Sequence, residues 1–216
     1  MTSLTERLER CYTGAVHDIM RAMGLGRFTL PHGIRPIFPE RTLCGPVFTL
    51  SGRVERGADA HETLLAWTGF LSRAEPGTVV VCQPNDSNVA HMGELSAETL
   101  QLRGVRGYVV DGGCRDVKFL LEIGFPVFCR YFTPRDVVSY WLPDAMNDRA
   151  VTLGEVTVRP GDHVLGDRDG VVVLPRDRAE EIVARTEEVI RTESLVRKAI
   201  RGGMDPQEAY RKYGKF

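Results

Sequence analysis

Gly107-Tyr108-Val109-Val110-Asp111-Gly112-Gly113-Cys114-Arg115-Asp116 is the stretch whose reading decides the fold. Tyr108 to Val110 are aromatic and β-branched, which fits a short strand covered on both faces. Gly112 and Gly113 allow the chain to turn sharply and a ligand to come close. Asp116 stands where a helix opens, because Val117, Leu120, Leu121 and Ile123 follow at helical spacing. In an α/β protein a strand that ends in such a loop is where ligands bind. The same residues also fit a surface turn with an Asp cap and an unrelated arginine. Pattern alone leaves both readings open.

A second unit of the same kind precedes it. Thr78 to Cys82 reads as a strand, Gln83 to Met92 as a loop, and Gly93-Glu94-Leu95-Ser96 as the opening of a helix. Leu95, Thr99 and Leu102 are expected to form the inward face of that helix. Its first backbone N–H groups lack internal partners and, with the helix dipole, favour a carboxylate or phosphate. Gly93 would let a ligand reach them without a side chain in the way. His91 is read as structural or solvent-facing. Because the two units are consecutive, Gly93–Ser96 and Gly113–Asp116 should meet at one sheet edge. One brings amides and a carboxylate, the other a guanidinium and a second carboxylate. That set suits a metal-chelated 2-oxo acid.

Outward from this pair, the chain reads as one α/β domain. Its start is helical from Thr5, with Thr13 to Met20 continuing or restarting the helix, ended by Gly24 and Gly26. Residues 28–44 are rich in Pro and Gly and read as irregular. Val47 to Leu50 is a strand, and Asp59 caps a helix from Ala60 to Arg73 with Leu64, Trp67, Leu71 and Ala74 inward. Pro126 to Cys129 is a strand. Thr133-Pro134-Arg135-Asp136 is a helix start or turn. Gly154 to Leu174 alternates β runs with turns, and Asp167-Arg168-Asp169 reads as a hairpin turn. From Arg176 a long helix carries Ala179, Ile182, Val183, Thr186, Ile190, Val196 and Ile200 as a stripe. At about 100° per residue, Glu193 falls inside that stripe, so its carboxylate should face protein and find a partner.

Composition narrows the function classes. The chain has 216 residues, 26% charged, with a net charge of −1. That balance gives no basis for nucleic-acid binding. Five cysteines (Cys11, Cys44, Cys82, Cys114, Cys129) with no CxxC pair fit a reducing, cytoplasmic setting. Charged residues interrupt any signal-type apolar run near the start, and no stretch is long and apolar enough to span a membrane. His61-Glu62 begins like a zinc-protease motif, but Leu65 stands where the second His is required. His61 is therefore read as a helix-surface residue.

The stretch from Gly93 to Asp116 resembles the signature of the RraA-like family, which includes the 4-hydroxy-4-methyl-2-oxoglutarate aldolases. It holds a Gly-Glu-Leu element and then, across a helix and a strand, Asp-Gly-x-x-Arg-Asp. The similarity runs from Thr13-Gly14-Ala15-Val16-His17-Asp18 to Gly170-Val171-Val172-Val173-Leu174-Pro175. Some members carry a menaquinone methyltransferase label. The chain has no glycine-rich S-adenosylmethionine loop to match it.

The resemblance implies β/β/α layering of the swivelling-domain type over residues 1–175. It also implies a C-terminal helical arm over 176–216 that packs on a neighbouring subunit, in a homotrimer or a hexamer of two trimers. Asp116 would be the ligand of Mg2+ or Mn2+, with waters completing the shell. Gly93, Glu94, Leu95 and Ser96 would hold the substrate carboxylate, and Arg115 would sit against the 2-oxo oxygen. Glu94 would stand near the metal-bound water, and Glu193, reaching from a neighbouring subunit, is the candidate for the family's C-terminal glutamate. The implied reaction cleaves a 4-hydroxy-2-oxo acid to pyruvate through a metal-stabilised enolate, and would also decarboxylate oxaloacetate. No Lys occurs in either signature segment, so a Schiff-base aldolase is the weaker option. Two alternatives stand beside it: a non-catalytic, protein-binding regulator of a ribonuclease, and a metal-dependent lyase or hydratase of another hydroxy acid. Phe28, His32, Phe132 and Trp141 are candidates for the distal pocket.

Overall fold

The computed structural model describes residues 2–215. The elements open with α1 (Leu4–Leu8), α2 (Thr13–Ala22), β1 (Arg35–Pro36), β2 (Leu43–Val54) and α3 (Ala60–Arg73). There follow β3 (Val79–Gln83), α4 (Glu94–Leu102), β4 (Gly107–Val110), β5 (Gly113–Cys114) and α5 (Val117–Ile123). Next come β6 (Val127–Cys129), β7 (Tyr131–Phe132), β8 (Trp141–Met146), β9 (Val151–Leu153) and β10 (Val156–Val158). The chain closes with β11 (His163–Asp167), β12 (Gly170–Leu174), α6 (Ala179–Arg201) and α7 (Pro206–Tyr213).

Strands β2, β3, β4 and β6 lie side by side in chain order and all run parallel. Helices α3, α4 and α5 make the three crossovers. Period-two alternation splits these strands between two cores. Val80, Cys82, Tyr108, Val110 and Val127 pack with Trp67, Phe70, Leu100 and Leu120 of the crossover helices. Val79, Val81, Val109 and Phe128 point the other way, onto Val151, Val156, Val164, Val171 and Val173. The sheet, continued from β2 into β11 and β12, therefore folds back on itself on one side and meets helix on the other, the β/β/α layering expected.

A further layer completes it. Leu165, Val172 and Leu174, on the outer face of the β11–β12 hairpin, pack against Leu8, Val16 and Met20 of α1 and α2 and against Ala179, Ile182 and Val183 of α6. Thus the first half of α6 shares a core with residues before 175, and the end of the chain returns to α2, where Lys215 Nζ lies 3.4 Å from Asp18 Oδ2. Asp167, beyond forming the hairpin turn, accepts from both the amide and the hydroxyl of Thr13 (2.8 Å each) and so fixes the start of α2.

Several expectations are corrected. The N-terminal helix restarts at Thr13, one of its two readings, whereas the strand at Val47 extends over the whole of β2, because its pairing with β11 and β8 continues past the apolar run. Thr133 to Asp136 is irregular, bent at Pro134, with a turn at 138–140 and no helix after it. Leu95 and Leu102 are 76% and 89% exposed; Ala97 and Leu100 are the buried residues of α4. The inward stripe is therefore shifted in phase, and the two leucines lie together on the exposed side of α4. Leu64, expected inside, is 47% exposed.

Candidate functional site

The site is built where β3, β4 and β6 end. Three loops leave those strands and are joined by backbone hydrogen bonds. His91 N–H donates to Gly113 C=O (2.8 Å), Arg115 N–H to Met92 C=O (2.9 Å), and Ala90 N–H to Arg135 C=O (2.8 Å). Gly112 and Gly113 do not adopt positive φ. They are small because the loops close tightly: a Cβ on Gly113 would lie 2.4 Å from the Tyr131 ring, and one on Gly112 2.9 Å from His91 Nδ1. The expected glycine turn is thus a close-packed strand, β5, beside β7.

Asp116 precedes α5 but does not cap it. Its backbone is left-handed (φ 57°, ψ 34°), and its side chain makes no bond to its own helix. Asp is one of the few residues that tolerates this conformation, which is concentrated at functional sites. The twist turns the carboxylate to the mouth of α4, where Oδ2 accepts from Glu94 N–H at 3.1 Å. Arg115 Nε lies 3.4 Å from the same oxygen, and its Nη1 donates to Asp136 Oδ2 at 3.1 Å. Gly93 makes this clasp possible, since a Cβ there would lie 2.6 Å from Asp116 Oδ2 and 3.1 Å from Arg115 Cγ. The first intrahelical bond of α4 is Ala97 N–H to Gly93 C=O (3.0 Å), so the Leu95 and Ser96 amides lie ahead of the helix's own ladder.

A cavity of about 510 Å³ opens here, lined by all the expected cluster: Gly93, Glu94, Leu95, Ser96, Arg115 and Asp116. Asp136 joins them, a residue missed in the sequence. Its signal was its place after a third strand of the same sheet edge. The opposite wall is α3, where Trp67 Nε1 donates to Ser96 Oγ (2.9 Å). Among the described residues no lysine lines the cavity.

Glu193 is elsewhere in its own chain. As expected for a residue in the α6 stripe it has partners: the Tyr12 hydroxyl and, at 3.5 Å, Lys215 Nζ. Of the distal-pocket candidates, Trp141 is fully buried in the core with its ring edge-on to His91, Phe28 packs in the α1–α2–α6 layer, and neither they nor His32 and Phe132 line the cavity. His91 is structural rather than solvent-facing. It is fully buried, 3.7 Å from Asp86, and burial pushes its pKa down to about 4.

A hard divalent cation fits this donor set. Among the described residues no three His, Cys, Asp or Glu side chains converge on one metal position. Any such ion would therefore rest mainly on water and one carboxylate, an arrangement that Mg2+ tolerates. Asp116 offers that carboxylate, because Oδ1 accepts no hydrogen bond among the described residues while Oδ2 is engaged. Three carboxylates against one guanidinium also leave the cavity anionic, so an anionic substrate requires added positive charge.

The RraA-like family model (Aldolase/RraA) matches residues 13–173. Protein DlpA of Legionella pneumophila is 27% identical over 99% of this chain, and this chain spans only 34% of that protein. A Halalkalibacterium halodurans protein named "Putative 4-hydroxy-4-methyl-2-oxoglutarate aldolase" is 29% identical over 74% of this chain and 72% of its own length. The crystal structure of Streptomyces coelicolor RraAS2, described as an unusual member of the RNase ES inhibitor RraA protein family, superposes with a TM-score of 0.81. It is 29% identical and covers 90% of this chain and 96% of its own. With the family pattern matched across both strand–loop–helix units and the layers that carry them, this chain belongs to the RraA-like family.

Proposed function

We propose that the chain is a divalent-metal-dependent aldolase that cleaves a 4-hydroxy-2-oxo acid to pyruvate. The observation that supports it most is the clasp of Arg115 and Asp116 against the open first turn of α4. In this reading the Leu95 and Ser96 amides receive the substrate carboxylate, Glu94's own amide being taken by Asp116. Arg115 faces the 2-oxo oxygen, held in that position by Asp136. Mg2+ or Mn2+ on Asp116 supplies Lewis-acid polarisation of the 2-oxo group when bound. Glu94, whose carboxylate makes no hydrogen bond among the described residues, takes the C4 hydroxyl proton through a water. The C3–C4 bond breaks, its electron pair moves to C3, and Arg115 stabilises the negative charge on the enolate oxygen. C3 then regains a proton to give pyruvate. Loss of CO2 from oxaloacetate gives the same enolate, so that decarboxylation belongs to the proposal.

Assembly as a trimer or hexamer belongs to it too, supported by the exposed apolar side chains of Leu65, Leu95, Leu102, Phe119 and Leu121. A catalytic role for Glu193 is proposed only in trans, with a second copy bringing it to this cavity. No helix is long and apolar enough to cross a membrane among the described residues. The free, buried cysteines support a cytoplasmic location for the proposed enzyme.

Pyruvate release from oxaloacetate and a panel of 4-hydroxy-2-oxo acids, with EDTA and then Mg2+ added back, tests the reading. Release that follows the metal is expected; none from any substrate would sink it. The relation to RraAS2 and the same exposed leucines favour a second reading, a protein-binding regulator of a ribonuclease. Ribonuclease capture without pyruvate release would establish that one instead.

A further inference from the structure

The two walls of the cavity differ. Among the described residues, Glu94, Arg115, Asp116 and Asp136 carry all of its charge, and Arg115 is the only cation lining it. That cation is already shared between Asp136 at 3.1 Å and Asp116 at 3.4 Å. The facing wall presents Leu64, Trp67, Thr68 and Leu71 of α3, continued by Val137 and Val138. Its two side-chain donors are in use: Trp67 Nε1 on Ser96 Oγ (2.9 Å) and Thr68 Oγ1 on Leu64 C=O (2.8 Å). A carboxylate laid against Trp67 and Leu71, the buried part of this wall, would lose water and find no free side-chain donor on α3, a penalty that normally excludes it. An alkyl or aryl group would instead be buried favourably. The volume of about 510 Å³ leaves room for one beside the keto acid head.

Resting on the aldolase reading above, we propose that the substrate is a 4-hydroxy-2-oxo acid with an apolar alkyl or aryl substituent at C4 and no second carboxylate. It would differ in this from the dicarboxylate that gives the Halalkalibacterium relative its name. Cleavage breaks C3–C4, leaves the electron pair on C3, and turns the deprotonated C4 alcohol into a carbonyl. The products are pyruvate and an apolar aldehyde.

The test compares pyruvate release by the Mg2+-loaded protein from 4-hydroxy-2-oxoheptanoate and from 4-hydroxy-4-methyl-2-oxoglutarate. Oxaloacetate, which carries nothing beyond C4, reports the enolate chemistry alone. The heptanoate should have the higher kcat/KM, by roughly 10–200-fold, the range one apolar contact site discriminates. Leu64→Lys, at a half-exposed helix position that can accept it, should narrow that gap by about tenfold or more. Equal or better turnover of the glutarate by the unsubstituted protein would overturn the inference while the aldolase reading stands. Pyruvate from oxaloacetate but from neither hydroxy acid would overturn it as well. Pyruvate from none of the three overturns the reading on which it rests.

Discussion

The carboxylate of Asp116 is hydrogen-bonded to the backbone N–H of Glu94, 3.1 Å away, so the residue that opens α5 closes the mouth of α4. Gly93 is the gap through which that contact is made. Gly93→Ala would place a methyl 2.6 Å from Asp116 Oδ2 and displace the Arg115–Asp116 clasp. The backbone at Gly93 is extended, so the substitution adds no strain of its own. Thermal stability should stay nearly unchanged while kcat/KM for pyruvate release falls about a hundredfold, the cost of an ångström-scale misplacement. Wild-type turnover by Gly93→Ala would show that the clasp is not part of the site.

Arg115 reaches two carboxylates at once through a planar fork, Nη1 to Asp136 and Nε towards Asp116. A lysine has one charged centre and cannot serve both. Arg115→Lys should lower kcat by roughly 10²-fold or more with a smaller change in KM, since the lost interaction is strongest with the enolate. A mutant defective only in KM would move Arg115 from transition-state stabilisation to simple binding.

How far the sequence carries is clear from these same residues. Gly93, Glu94, Arg115 and Asp116 were legible because two consecutive strand–loop–helix units in a parallel sheet must end at one edge. Asp136 follows β6 at the same edge, but no helix follows it, so the pattern that marked the others was absent. Leu95, Thr99 and Leu102 share helical spacing, which in the sequence points them inward. The two leucines are exposed because the crossover helix meets its sheet through the smaller Ala97 and through Leu100. The close packing that requires Gly112 and Gly113 comes from Tyr131 and His91, contacts that exist only once three loops have assembled. The left-handed turn at Asp116 likewise has no local signal.

Burial holds His91 neutral, with a pKa pushed down to about 4 despite the opposing pull of Asp86. His163, also largely buried, is shifted the same way. The unfolded chain takes up these protons near pH 6.5 and the folded chain does not. Their contribution is therefore complete above about pH 6.5 and is lost as pH falls towards 4, by about 3 kcal/mol for His91. Urea denaturation between pH 7 and 4.5 should show that slope, and His91→Gln should flatten most of it. An unchanged slope in the mutant would mean that His91 is not the group responsible.

Glu193 is bound by Tyr12 and Lys215 in its own chain. If a neighbouring copy receives it at the cavity, Glu193→Gln should reduce pyruvate release at least about tenfold. Tyr12→Phe, which removes only the tail contact, should cost about 1 kcal/mol of stability and keep turnover. Equal, full activity in both mutants would confine Glu193 to bracing the tail.

The central claim is that Asp116 and the α4 mouth together hold a cation and a keto acid, and Mn2+ titration followed by water-proton relaxation tests it without reference to turnover. Oxalate, a planar dianion, serves as the mimic of the enolate. Mn2+ should bind the wild-type protein, oxalate should tighten that binding, and Asp116→Ala should abolish both effects with its fold intact. Mn2+ and oxalate binding unchanged in a folded Asp116→Ala protein would contradict the account.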